Sequence, residues 1–127
     1  MPMLAFNNAT DPNTPDDVHI VSSAVRFVEE TRLGQSAMAT IHVLGRHEAG
    51  IQVMDPLDVV VASIGGLTAA TRHYLAGQPE DGGSMVFIAA ANISHIRPST
   101  PSKRDFWHVY FIDGSELRIV DPLPAGL

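Results

Sequence analysis

The chain has six histidines and no cysteine. Any chemistry must therefore come from imidazole, carboxylate, guanidinium and hydroxyl groups. His95 and His108 fall on neighbouring predicted strands, with Arg97 and Tyr110 two residues further along the same faces. Glu116 and Arg118 join them from the last predicted strand. Together these six form the leading candidate for a ligand or partner surface. Imidazole and phenol rings stack and hydrogen-bond, and two guanidinium groups attract anionic groups. His42 and His47 flank a predicted hairpin turn with Glu48 adjacent, a weaker candidate set for a metal ion. Their spacing matches no ligand signature such as His-Glu-x-x-His. His73 follows Arg72 near a predicted helix end, where positive charge suits the dipole and a structural role is expected.

Recognised reaction motifs are absent. There is no Gly-x-Ser-x-Gly elbow, no phosphate loop and no dinucleotide fingerprint, and the acids form no evident general acid/base couple. The missing cysteines remove disulfides, thiol catalysis and zinc–thiolate sites together. No catalytic residue and no cofactor are expected. Eight basic residues against fourteen acidic ones give a net charge of −6, so nucleic acid is an unlikely partner. The place for it, were it bound, is the loop 97–104 with Arg97, Lys103 and Arg104. No basic region followed by an apolar run opens the chain, and a cytoplasmic location without membrane contact is expected.

The elements that must position these groups come next. At 127 residues one domain is expected, with residues 1–13 as a flexible arm and 14–127 as a single α+β domain. Thr14-Pro15-Asp16-Asp17 has the grammar of a helix start, and Val18, Val21, Val25 and Val28 follow at helical spacing, which predicts a helix over 15–32. Ala39, Ile41 and Val43, then Ile51 and Val53, alternate with polar residues and predict a hairpin. Asp55-Pro56 resembles a second helix start. The small and apolar residues after it predict a central buried helix over 56–76, with Gly65-Gly66 at a close approach to its neighbours. Met85-Val86-Phe87-Ile88 and Asn92-Ile93-Ser94-His95-Ile96 predict two short strands separated by a bend.

The strands around Asp113-Gly114 permit a register argument. A two-residue turn opposes Val109 with Arg118 and Phe111 with Glu116, mixing charge into an apolar face. A three-residue loop, Ile112-Asp113-Gly114, opposes Phe111 with Ser115, Val109 with Leu117 and Trp107 with Ile119, leaving one apolar and one polar face. Burial of several large side chains at about 1.5–3 kcal/mol each selects the three-residue loop. One echo is internal: residues 51–57, Ile-Gln-Val-Met-Asp-Pro-Leu, parallel residues 117–123, Leu-Arg-Ile-Val-Asp-Pro-Leu. Asp-Pro as a common strand terminator accounts for it without duplication.

Two stretches resemble known families. Residues 54–76 are similar to the central helix of OsmC-type peroxidases, with Leu67 near the position of the reactive cysteine; a chain without cysteine cannot carry that peroxide chemistry. Residues 87–120 are similar in rhythm to the LytTR-type DNA-binding domain, which the acidic balance opposes.

The fold expected is α+β: an antiparallel sheet of four to six strands packed on the central helix, with the N-terminal helix alongside. The function expected is that of a small non-enzymatic binding or regulatory module, which partners itself as a homo-oligomer or another protein. Aromatic residues at strand ends, Phe106, Trp107, Tyr110 and Phe111, motivate the self-association. Two other readings are a small enzyme or ligand-binding protein with a pocket at His95, Arg97, His108 and Tyr110, and a nucleic-acid binder through 97–104.

Overall fold

In the computed structural model, the structure describes residues 3–7, 17–33, 36–45, 50–73, 85–99 and 106–127. The chain runs β1 (Met3–Asn7), β2 (Asp17–Val21), a 3₁₀ turn (Ser22–Ala24), β3 (Val25–Leu33), β4 (Ser36–Val43), β5 (Ile51–Pro56) and α1 (Leu57–Ile64). It continues with β6 (Leu67–Thr71), β7 (Met85–Ala89), a 3₁₀ turn (Ala90–Asn92), β8 (Ile93–Pro98), β9 (Phe106–Phe111) and β10 (Glu116–Val120). The strands form antiparallel sheets in the orders β5-β4-β3-β7-β6, β10-β9-β8 and β1-β2.

This architecture overturns the expected sheet on a central helix. Of the predicted helix over 15–32, residues 17–32 are instead strand, 3₁₀ turn and strand, and residues 15–16 lie outside the described residues. Its helical-looking stripe has a physical origin: Val25, Arg26, Phe27 and Val28 are all buried, because β3 is the middle strand of five and is covered on both faces. A strand buried on both faces loses its period of two. The turn at Ser22–Ala24 then shifts the phase between the two valine groups.

The predicted helix over 56–76 stops at Ile64, since Gly65 and Gly66 have φ of 72° and 67°, a region open to glycine and costly for other residues. Leu67–Thr71 then pairs with β7. Asp55 lies in β5, and the N-cap is Pro56 without a side-chain hydrogen bond. Val60 is the one buried residue of α1, so the helix caps a core and is not enclosed. The expected flexible arm includes β1, where Phe6 is buried; residues 1–2 and 8–13 of it lie outside the described residues. Among the described residues no helix is long and apolar enough to cross a membrane.

The chain is built as two copies of one pattern, joined by α1: two paired strands, a 3₁₀ turn, then three consecutive strands. The registers match step for step. Met3↔Val21 and Leu4↔Ile20 in β1–β2 correspond to Leu67↔Ala89 and Thr68↔Ile88 in β6–β7. The bulge in β3–β4, Val25↔Val43 then Phe27↔His42, recurs in β8–β9 as Ile93↔Phe111 then His95↔Tyr110. The Leu44 N–H donates to the Ala24 carbonyl at 2.8 Å, as the Ile112 N–H does to Asn92 at 3.0 Å. The echo of Ile51-Gln52-Val53 in Leu117-Arg118-Ile119 thus marks β5 and β10 as equivalent strands, a role beyond strand termination. Each repeat has its own core: Phe6, Ile20, Val28, Ile41 and Val53 in the first, Val86, Ile88, Val109, Leu117 and Ile119 in the second. Phe27 of β3 crosses into the second core.

Polar ties join the repeats. Asn92 Nδ2 donates to the Ser23 and Val25 carbonyls at 2.8 and 2.7 Å. The buried Arg26 donates to Ser115 Oγ at 2.9 Å and to the Val43 carbonyl at 3.0 Å, with Asp113 at 4.0 Å. Asp113 Oδ2 accepts from the Gly45 N–H at 2.8 Å, while its Oδ1 accepts from Ser115 Oγ and N–H at 2.6 and 3.0 Å. Burial pushes the Asp113 carboxyl up, but the bonds from Ser115 and Gly45, with the Arg26 charge, bring its pKa down to about 2. The Ile112-Asp113-Gly114 loop has the expected register, with Leu117 opposite Val109, Ile119 opposite Trp107, and Gly114 at φ 88°.

Two outcomes follow from this packing. A Cβ on Gly50 would stand 2.6 Å from Thr40 Cγ2 and 3.0 Å from the His42 ring, so Gly50→Ala is expected to cost about 1–3 kcal/mol, measured by urea denaturation. The Asp113 pKa is lower folded, about 2, than its ordinary 3.8. Its contribution is therefore complete above pH 4 and lost as pH falls through about 2. Asp113→Asn should flatten the acid limb of the stability profile by up to about 2 kcal/mol between pH 4 and 2.

Candidate functional site

Strands β8, β9 and β10 place all six predicted surface residues on one face. Register aligns them in two rows: His95, Tyr110 and Glu116 across one line, Arg97, His108 and Arg118 across the next. The alternate residues Val109, Leu117 and Ile119 fill the second core, so burying that side turns the polar set outward. His95, Arg97 and Glu116 are exposed, while His108, Tyr110 and Arg118 are half-buried.

Contacts on this face fix several of the side chains. The His95 and Tyr110 rings stack with centroids 4.5 Å apart, and Ser94 Oγ lies 2.8 Å from His95 Nδ1. Glu116 Oε1 is 2.8 Å from His108 Nδ1 and accepts from Arg118 Nε at 3.0 Å. Burial pushes the Glu116 carboxyl up, but hydrogen bonds from His108 and Arg118 and their charges hold it below the ordinary carboxylate range. The Arg118 guanidinium also lies 5.8 Å from the Phe106 ring centroid. Arg97 has no hydrogen-bond or ion-pair partner among the described residues. Two arginines against one glutamate leave this face locally positive on an acidic chain.

The weaker metal set is not assembled by what is described. His47 and Glu48 lie outside the described residues, and among those described no group of three or more potential ligands comes together. His42 lies on β4, its ring stacked on Phe27 at 4.2 Å. Its Nε2 is 3.5 Å from Glu29 Oε1, an ion-pair distance without hydrogen-bond geometry. Glu29 accepts from Arg72 Nη1 at 2.9 and 3.0 Å. Arg72, expected at a helix end, thus ties the second repeat to β3 of the first. His73 stacks on Phe106 at 4.3 Å, also away from any helix end.

The sequence reading missed Arg26, Glu29 and Asn92 as structural polar groups. One signal was available for the first: a charged residue between Val25 and Phe27 in an apolar run must find partners if the run is buried. A cleft of about 280 Å³ lies between the two 3₁₀ turns and the end of α1, lined by Ser22, Ser23, Ile64, Gly65, Gly66 and Asn92 among others. It has no ionisable lining, and the Asn92 amide is committed to Ser23 and Val25.

Compared with known proteins, the chain matches no family model, no curated protein and no solved structure. The polar face must be judged on its own geometry.

The Glu116 ion pairs are solvent-exposed and worth little to stability. Glu116→Gln is expected to shift the unfolding free energy by less than about 1 kcal/mol, measured by urea denaturation.

Proposed function

We propose that this protein is a small non-enzymatic binding module that presents the outer face of β8, β9 and β10 to an anionic protein partner. The observation carrying this reading is Arg97, an exposed guanidinium without a described partner, standing beside the stacked His95–Tyr110 pair. Arginine and tyrosine at a flat, rigid surface are the side chains that anchor protein partners. Three adjacent strands form the platform, an extended sheet face that suits a macromolecular surface better than a small molecule that needs enclosure. The stacking of His95 on Tyr110 and the contact of His108 with Glu116 give both imidazoles a positioning role in that platform.

A labelled poly-glutamate peptide serves as probe, with fluorescence anisotropy as readout. Arg97→Glu should weaken its binding at least tenfold, and the wild-type affinity should fall with added salt. The variant Lys103→Glu, at a position of the 97–104 candidate that lies outside the described residues, should stay within about twofold of wild type. Equal binding by wild type and Arg97→Glu would remove the reading. Duplex DNA binding with a steep salt slope, sensitive to Lys103→Glu, would transfer it to nucleic acid.

A further inference from the structure

We infer that the row Arg97, His108 and Arg118 across β8, β9 and β10 binds a single phosphate monoester, carried on a phosphorylated serine of the protein partner. The inference rests on the reading above and names the group that the partner brings.

Arg97 stands opposite His108, and His108 opposite Arg118, so the three side chains form one line across the sheet. Neighbouring strands lie about 5 Å apart, which sets the two arginines about 10 Å apart at their bases with the imidazole between them. Long flexible stems let both guanidinium groups reach one group held over the ring.

Hydrogen-bonding capacity is left over at each of the three positions. Arg97 has no hydrogen-bond partner among the described residues. Arg118 commits Nε to Glu116, and its two terminal nitrogens have no partner among them either. An ionised carboxylate only accepts, so the 2.8 Å contact with Glu116 puts the hydrogen on His108 Nδ1 and leaves Nε2 over. Glu116 thus orients two members of the row without using up their remaining polar atoms. The Phe106 ring, 5.8 Å from the Arg118 guanidinium, lies beside the same row.

The number of these groups selects phosphate over carboxylate. A carboxylate has two oxygens and one charge, and one arginine fork satisfies both oxygens. The second guanidinium and the imidazole are then left over. A phosphate monoester has three oxygens and carries about 1.5 to 2 negative charges near neutral pH, which suits two forks and an imidazole. Nε2 gives a hydrogen to the dianion when the ring is protonated, or accepts one from the monoanion when it is neutral.

Charge and surroundings identify the carrier. Within β8–β10 Glu116 is the one acidic residue, so two arginines against it leave a single net positive charge before the imidazole is counted. That matches one phosphate and not a continuous phosphate backbone, which the net charge of −6 on the chain also opposes. On one side the row is flanked by the stacked His95 and Tyr110 rings and on the other by Phe106, surfaces suited to the residues around a phosphoserine.

The test uses a short labelled peptide of alanine and glycine around one phosphoserine, with two controls that carry serine or glutamate in its place. Fluorescence anisotropy should show the phosphoserine peptide binding about tenfold more tightly than the glutamate peptide, and the serine peptide not at all. Arg97→Gln and Arg118→Gln should each weaken the phosphoserine peptide about tenfold. Titration of the unmodified protein, followed by amide ¹H–¹⁵N spectra, keeps the test independent of the variants' folding. Its shifts should centre on residues 97, 108 and 118.

Equal affinity for the phosphoserine and glutamate peptides overturns the inference. So do spectral shifts that centre away from the row. A single-stranded oligothymidylate that binds more tightly than the phosphopeptide, with the same sensitivity to Arg97→Gln, overturns it by giving the row to nucleic acid. If Arg97→Glu loses the poly-glutamate probe while phosphoserine brings no gain, the positive face stands as a binding surface and only the phosphate is refuted.

Discussion

The structure depends on one buried polar contact. Arg26 sits in the most apolar stretch of the first repeat, and its burial is tolerable only because the second repeat supplies Ser115 Oγ and the Asp113 carboxylate. Asp113 is itself held by N–H groups from both repeats, Gly45 on one side and Ser115 on the other. A buried guanidinium with good partners adds little net stability over an apolar substitute, but removing a partner is expensive. The contact therefore acts chiefly on specificity: it allows one docking of the repeats and penalises others. The Phe27 and Phe111 rings lie 5.5 and 5.8 Å from the same guanidinium, adding apolar walls to the polar tie.

That docking decides which strands are interior and which are edges. β3 receives β7 on one edge and β4 on the other, so Val25 through Val28 are buried without alternation. Among the described residues β8 has the same place in its own repeat but no strand paired on its other edge, and its pattern is exposed at Ser94, His95 and Arg97. The same asymmetry separates two aromatic–imidazole stacks that occupy equivalent sites. Phe27–His42, at 4.2 Å, is an internal contact beside Glu29 and Arg72. His95–Tyr110, at 4.5 Å, is a surface contact. Repetition supplied two similar platforms, and the docking of the halves buried one of them.

The polar surface was legible in the sequence because it lies on short strands whose alternation is clean. His108, Tyr110, Glu116 and Arg118 alternate with Val109, Phe111, Leu117 and Ile119, so a single assumption of one buried face placed them correctly. The Asp113-Gly114 register followed from the same assumption. The first repeat was not legible in this way. Its valines at 18, 21, 25 and 28 mimic a helical stripe only because a 3₁₀ turn interrupts two strands and β3 is buried on both faces. The long helix failed for a local reason that was visible but misjudged: two consecutive glycines in left-handed conformation end α1 and redirect the chain into β6.

The sequence by itself determined the faces: which residues of β8–β10 turn outward, where the turn at Ile112-Asp113-Gly114 falls, and that β5 and β10 share a pattern. Those are consequences of side-chain alternation and turn chemistry, which act over a few residues. Only the tertiary structure decided that the echo is a full repeat, that Arg26 and Asn92 join its halves, and that β3 pairs with a strand of the other repeat. These depend on contacts between segments far apart in the chain, whose energy comes from burial and hydrogen bonds that no local pattern encodes.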